Sequence, residues 1–384
     1  MRILFLFFLL FFQKNQAIAQ NTVPGKSYFS NNNYIEYIAG NSPFIVSAPH
    51  GGDLKPSDIP DRSCTACVTG KDGSTQELAR DIANAFYKQT GCFPHIIINR
   101  LHRIKLDANR EIVEAALGNP QAEQAWLAFQ SYIDSAKTQI TKQFGTGLYI
   151  DLHAHGHAIQ RLELGYLLTS TELQNTDNQI NINTYINESS IKNLASNNLK
   201  NATHSQLLRG EKAIGTVLQK RGYPSVPSMQ IPFPQTGEDY FNGGYNTNRH
   251  GSRNGGKIEG LQIECHYTGV RDSDTNRKKF ADSLSLTVRE FLSDFILKNG
   301  FSTCKGTIAT ENVLNNECRI FPNPAVDFIE LSCEDFSQQE AALVDFYGKK
   351  IKNLSENKTD INDIENGIYF VKVKNKFYKI LIMK

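Results

Sequence analysis

The chain has 384 residues, 40% hydrophobic and 21% charged, a globular composition long enough for more than one domain and too apolar for a disordered chain. Its formal net charge of +2 leaves no basic excess, so neither a nucleic-acid partner nor an anionic membrane surface is expected.

In chain order, Arg2, the apolar run Ile3 to Phe12 and Ala17-Ile18-Ala19 come first. Charge, short apolar run and A-x-A together describe a secretory signal peptide over residues 1–19, and no later stretch has the length and apolarity of a transmembrane helix. Export would place all 7 cysteines in an oxidising compartment, with at least one unpaired. "CTAC" has no second CxxC to complete a zinc site and reads as a local Cys64–Cys67 disulfide or as two separate thiols. Cys265, in an apolar run, reads as a small buried hydrophobe.

"NNYIEYIAG" and "SPFIVSAPHGG" predict two short strands, and "STQELARDIANAFYKQTG" a helix with Ser74 and Thr75 as caps and Gly91 as its stop. "FPHIIINRL", the long amphipathic "NPQAEQAWLAFQSYIDSAKTQITKQFG" and "TGLYIDLHAHG" continue as strand, helix and strand. From Leu173 to about Gln206 the chain is rich in Asn, Ser and Thr, predicting surface loops and short helices beside a substrate mouth. "KIEGLQIECHYTG" gives another strand, and "NRKKFADSLSLTVREFLSDFILKNG" a closing helix ended by Gly300. This alternation argues for an α/β sheet with helices on its faces, spanning residues 20–300.

A linker follows over 301–318, and residues 319–384 show only short strand patterns, a small all-β sandwich. "FPNPAVDFIEL", "LVDFYGKKI" and "NGIYFVKV" resemble, in that order, the C-terminal sorting domain of type IX secretion cargo. The resemblance implies handling by that machinery, passage through the periplasm and across the outer membrane, and a secreted or cell-surface location. The competing reading is a carbohydrate- or adhesion-type β-sandwich.

Three strand ends carry chemistry. His50 stands where an apolar strand breaks into "PHGG", His153 ends "YIDLH" with Asp151 two residues earlier to buttress it, and Glu264 ends "LQIEC". A hydrolytic metal site needs about three protein ligands and a carboxylate beside its water, and strand ends of an open α/β sheet converge on one crevice. "KLDANREI" adds Asn109 and Arg110, an amide beside a guanidinium that suits a carboxylate; the plainer alternative for Arg110 is a surface ion pair. No GxSxG nucleophile motif appears.

With "PHGG", "DANR", "DLHAHGH", "GGYNTNRHG" and "GLQIECHYTGVR" in this order over residues 45 to 290, the chain resembles the N-formylglutamate amidohydrolase family, relatives of the zinc carboxypeptidases. The resemblance implies a three-layer α/β/α sandwich around a mixed sheet and zinc-dependent hydrolysis, through one ion, of an amide in a small molecule or peptide with a free carboxylate. It makes His50 and His153 metal ligands, Glu264 the general base, and Asn109 with Arg110 the carboxylate clamp. The acidic ligand is Asp53 by the carboxypeptidase spacing or Asp72 by the amidohydrolase spacing, and Asp72 is preferred. Arg103 and Arg249 are the cations for the oxyanion or the substrate. His155, a candidate substrate contact, and His157 depart from the wider family's pattern. A carboxypeptidase-like metallopeptidase and a non-enzymatic surface binding protein are the competing readings.

Overall fold

β-Branched and aromatic runs form the strands of the first unit, and segments with apolar residues at helical spacing form its long helices. The structure, a computed structural model, describes residues 22–65, 67–298, 300–301, 319–321, 325–332, 341–345, 348–354, 358–373 and 376–382. The expected signal peptide and nearly all of the expected linker lie outside them, as do Cys304, Cys318 and Cys333. The chain divides into two compact units, Met1–Thr307 and Ile308–Lys384.

The first unit runs β1 (Ser27–Phe29), β2 (Ile35–Ile38), β3 (Phe44–Ala48), α1 (Thr75–Thr90), β4 (His95–Asn99), α2 (Ile112–Ala116), α3 (Pro120–Phe144), β5 (Gly147–Ala154) and β6 (Leu162–Gly165). Short helices follow: α4 (Ser170–Leu173), α5 (Asp177–Ile180), α6 (Asn183–Glu188), α7 (Lys192–Ser196), α8 (His204–Arg209) and α9 (Ile214–Lys220). Then come β7 (Ser225–Val226), α10 (Tyr245–His250), β8 (Ile258–Cys265) and α11 (Asp274–Phe295). The strands make one sheet in the order β1-β2-β4-β3-β5-β8-β6-β7. β4, β3, β5 and β8 are parallel neighbours, whereas β2 against β4 and β6 against β8 are antiparallel, so the sheet is mixed.

Strand alternation divides the apolar residues between two clusters. Phe44, Val46, Ile96, Ile98, Leu148, Ile150, Leu152, Leu261 and Ile263 join Leu78, Ile82 and Phe86 of α1 and Phe280, Leu284 and Phe291 of α11. The intervening Ile45, Ile97 and Tyr149 join Trp126, Phe129 and Ile133 of α3. On that second set of positions the C-terminal ends of β5 and β8 turn polar, with Asp151 and His153 on β5 and Gln262 and Glu264 on β8, and Glu163 at the start of antiparallel β6 lies beside them, all buried.

Local signals act mostly as the sequence suggests. Asn119 caps α3 through Ala122 N–H with Pro120 in its first turn, and Gly91 ends α1 in a left-handed conformation. Ser74 does not cap α1: its own backbone is left-handed (φ 66°), and the Thr75 hydroxyl instead donates to the Asp72 carbonyl. α11 stops at Phe295 rather than running to Gly300, since the Ile296 and Leu297 N–H groups both close on the Leu292 carbonyl. The polar segment 173–206 does form short helices. Its apolar residues Leu173, Ile180, Ile191 and Leu194 pack into the α1/α11 cluster, opposite to the face that carries the polar strand ends. Cys64 and Cys67 are disulfide-bonded, and Cys265 is free and buried, with its thiol pushed well up by burial.

The second unit holds β9 (Arg319–Phe321), β10 (Phe328–Ser332), β11 (Ala341–Val344), β12 (Lys350–Asn353), β13 (Thr359–Asp360), β14 (Gly367–Val373) and β15 (Lys376–Ile382). They form antiparallel sheets ordered β13-β10-β9 and β12-β11-β14-β15 around Ile329, Leu343, Val371 and Ile380. Among the described residues this unit is all β.

Candidate metal centre

β3 connects to β4 on one side while β5 lies on the other, so the order in which strands are added reverses between β3 and β5, the point where open parallel sheets leave a crevice at their C-terminal ends. His50 follows β3 and His153 ends β5 at that crevice, with ring centroids 4.8 Å apart. The glycines of "PHGG" set the position of His50 by backbone packing rather than by approach to a ligand. A Cβ on Gly51 would stand 2.4 Å from Thr75 Oγ1, and one on Gly52 2.3 Å from the Arg100 backbone. Asp72 comes from the loop before α1, held by its N–H on the His50 carbonyl and its carbonyl on Thr75.

His50, Asp72 and His153 each offer a ligand atom, all within 4.8 Å of one another, and all three are buried. His50 Nε2–H donates to Asp107 at 2.6 Å and His153 Nε2–H to Asp151 at 2.8 Å. Those bonds fix the tautomers so that both Nδ1 atoms turn to the shared Asp72 carboxylate, at 3.4 Å from His50 and 3.1 Å from His153. His50 Nδ1 is buried without a hydrogen-bond partner. A buried lone pair facing a carboxylate oxygen is costly without a positive charge between them, so the donor set fits a divalent cation bound by two imidazoles and a carboxylate.

Burial raises the Asp72 carboxyl, but His50 and His153 outweigh it and hold the group far below the ordinary carboxylate range. Asp107 is likewise held far down against its burial, by His50 and Arg103. Glu264 behaves differently. It pairs with His153 across β5 and β8, its Oε1 accepts from the Gln262 amide at 3.0 Å, and burial pushes its carboxyl up to about 8.

The other sequence candidates divide. Arg103 stands at the centre, Nε donating to Asp107 at 3.0 Å and Nη1 3.8 Å from Asp72. Asn109 is there too, its Nδ2 3.3 Å from His153 Nε2, but its Oδ1 is taken by Asn246 N–H. Arg110 is paired with Glu114 at 3.0 Å, the surface ion pair that was its plainer alternative. Arg249 pairs with Asp134 of α3 and lies over the Trp126 ring. Asp53 is exposed and bonded to Lys71 and Gln76, apart from the two histidines. His155 is buried with both ring nitrogens spent on backbone: Nε2–H donates to the Arg161 carbonyl, and Nδ1 accepts from His157 N–H. Asp107 went unremarked in the sequence although it lies inside "DANR", and Glu163 because β6 is only 4 residues long.

A family model for the secretion system C-terminal sorting domain matches residues 319–383. That region is a sorting domain, which marks the chain as cargo for the type IX secretion machinery, bound for the cell surface or the medium. No helix among the described residues is long and apolar enough to cross a membrane. No curated protein matches the chain. Among solved structures, an N-formylglutamate amidohydrolase from Ralstonia eutropha JMP134 aligns at 11% identity with a TM-score of 0.38, over 64% of this chain and 91% of that one, a likeness too loose to carry function.

Proposed function

We propose that residues 20–300 are a secreted zinc-dependent amidohydrolase acting on an N-acyl amino acid or small peptide with a free carboxylate, joined through residues 301–318 to the sorting domain. The observation that carries this reading is the orphaned His50 Nδ1 beside Asp72 and His153, with both Nε2 atoms bound to buried carboxylates. The motif order supports it, and apolar clusters on opposite strand positions are what a three-layer α/β/α arrangement requires.

His50, Asp72 and His153 would hold the ion, two nitrogens and an oxygen being an ordinary zinc set that leaves a position open. A zinc ion bound there supplies a Lewis acid and makes water acidic enough to ionise near neutral pH. Glu264, buried at the end of β8 directly opposite His153, is the carboxylate suited to take a proton from the attacking water and return it to the leaving nitrogen. Arg103, pinned between Asp107 and Asp72, is the nearby cation for charge developing on the carbonyl oxygen. Asp107 and Asp151 keep the two imidazoles in the ligating tautomer.

Elemental analysis of the purified mature chain, joined to an activity screen over N-acyl amino acids and C-terminal peptides, tests the reading. The expected result is about one zinc per chain and turnover of N-acyl amino acids. Turnover confined to peptides would favour the carboxypeptidase-like alternative, and a metal-free, inert protein would favour a binding scaffold.

A further inference from the structure

Beyond the metal centre a second group of side chains faces the same crevice. Glu163 of β6 lies directly opposite Glu264 in the antiparallel pairing with β8 and is fully buried. A carboxylate so placed needs partners. Its Oε1 accepts from Nδ1–H of His157 at 2.8 Å and its Oε2 from the Phe241 N–H at 2.8 Å. The His157 ring lies on the Phe241 ring, centroids 4.6 Å apart and planes 24° from parallel, and Phe241 is itself 45% exposed. Glu163 and Phe241 therefore fix one edge of the imidazole, and the opposite nitrogen, Nε2, has no partner among the described residues.

The guanidinium groups nearby are engaged elsewhere. Arg110 is bound to Glu114, and Arg161 to Glu238 and the Asp239 carbonyl. Arg271 spends its guanidinium on the carbonyls of Cys265, Gly73 and His155. A cation could also be imagined between His155, His157 and Glu163, whose ligand atoms lie within 4.8 Å of one another. However, both nitrogens of His155 are committed to the backbone, so that ring has none left for a cation.

We infer that His157 is a specificity-determining residue: its Nε2–H receives an anionic group of the ligand, a carboxylate by preference, while the exposed Phe241 ring flanks the adjoining apolar atoms. When the ring carries both protons, Nδ1–H serves Glu163 and Nε2–H is left for the ligand. The inference rests on the hydrolase reading for the identity of the ligand as substrate. Cross-strand pairing sets Glu163, the partner of His157, beside Glu264 on one wall of the crevice.

The test uses two probes without an amide bond, 3-phenylpropanoate and 3-phenylpropan-1-ol, titrated calorimetrically into the full mature chain. Wild type should bind the carboxylate about tenfold or more tighter than the alcohol, and His157→Gln should cut that preference below about twofold. Phe241→Ala should weaken both probes alike. If His157→Gln does not fold, the double substitution His157→Phe with Glu163→Leu removes the donor and the buried carboxylate together and reads the same preference. The proposal is overturned if wild type shows no preference, if the preference survives loss of the imidazole, or if a second metal equivalent is found that His157→Gln abolishes. Failure of the hydrolase reading looks different: the preference and its loss in His157→Gln persist, but no N-acyl amino acid is turned over.

Discussion

His50, Asp72 and His153 form one histidine–carboxylate group, and His155, His157 and Glu163 form a second. By composition they are near twins, and strand β5 with the residues just after it supplies histidines to both. Their hydrogen bonds separate them. In the first group the Nε2 atoms are paid by buried aspartates and two Nδ1 atoms meet one carboxylate, one of them with no partner. In the second, His155 is consumed by backbone and His157 by Glu163, leaving a single outward nitrogen. Residue type therefore does not define a metal centre; convergent, uncommitted lone pairs do.

Substitution at the two groups should break that comparison if it is wrong. The largest effect is expected at the first: His153→Ala or Asp72→Ala should lose zinc and activity together while the fold persists, whereas Asp53→Ala should retain both, as elemental analysis and circular dichroism would show. His155→Gln should keep its zinc and instead lower stability to denaturant by about 1–3 kcal/mol, the cost of leaving buried backbone groups unpaired. A His155→Gln protein stripped of zinc would erase the distinction.

Glu264→Gln preserves shape and removes the proton acceptor, so kcat should fall by about a hundredfold or more with zinc content unchanged. Metal loss in that variant would reassign Glu264 as a ligand. Asp107→Asn comes next. It keeps a hydrogen bond to His50 but not the charge, and zinc affinity measured by chelator competition should weaken by about 10- to 100-fold.

The smallest effect concerns the other end of β8. Glu259 is buried there with Ser252 Oγ–H and Leu194 N–H as donors and no histidine, and burial pushes its carboxyl from 4.5 up to about 7. The folded protein then holds this proton longer than the unfolded chain does, so Glu259 lowers stability as pH rises from 4.5 to about 7. Glu259→Gln should remove that decline, worth about 1–2 kcal/mol between pH 5 and pH 8 in urea titrations. An unchanged pH profile would mean that its two donors suffice to stabilise the anion.

Much of the first unit was legible because its elements carry strong local patterns: the runs around Phe44, His95, Leu148 and Leu261 are strands, and the periodic segments over α1, α3 and α11 are helices. β6 was not. Four residues with two leucines give too short an alternation to stand out, and Glu163 was lost with the strand. Phe241, in a stretch without regular structure, has no local pattern to announce that it will lie on a histidine from beyond β5.

The sequence by itself determined the types of the long strands and helices of the first unit, the strand-end positions of His50, His153 and Glu264, and the sorting domain at 319–383, because strand alternation, helical periodicity and ordered motifs are properties of neighbouring residues. Tertiary structure alone decided which acid joins the two histidines, which arginine stands beside them, and which of the three alternating histidines keeps an uncommitted nitrogen. Each of those turns on a hydrogen bond between distant segments: Asp107 reaches His50 across 57 residues and Asp72 reaches His153 across 81. A carboxylate in a loop looks the same in sequence whether it ends on a lysine at the surface, as Asp53 does, or on two buried imidazoles, as Asp72 does.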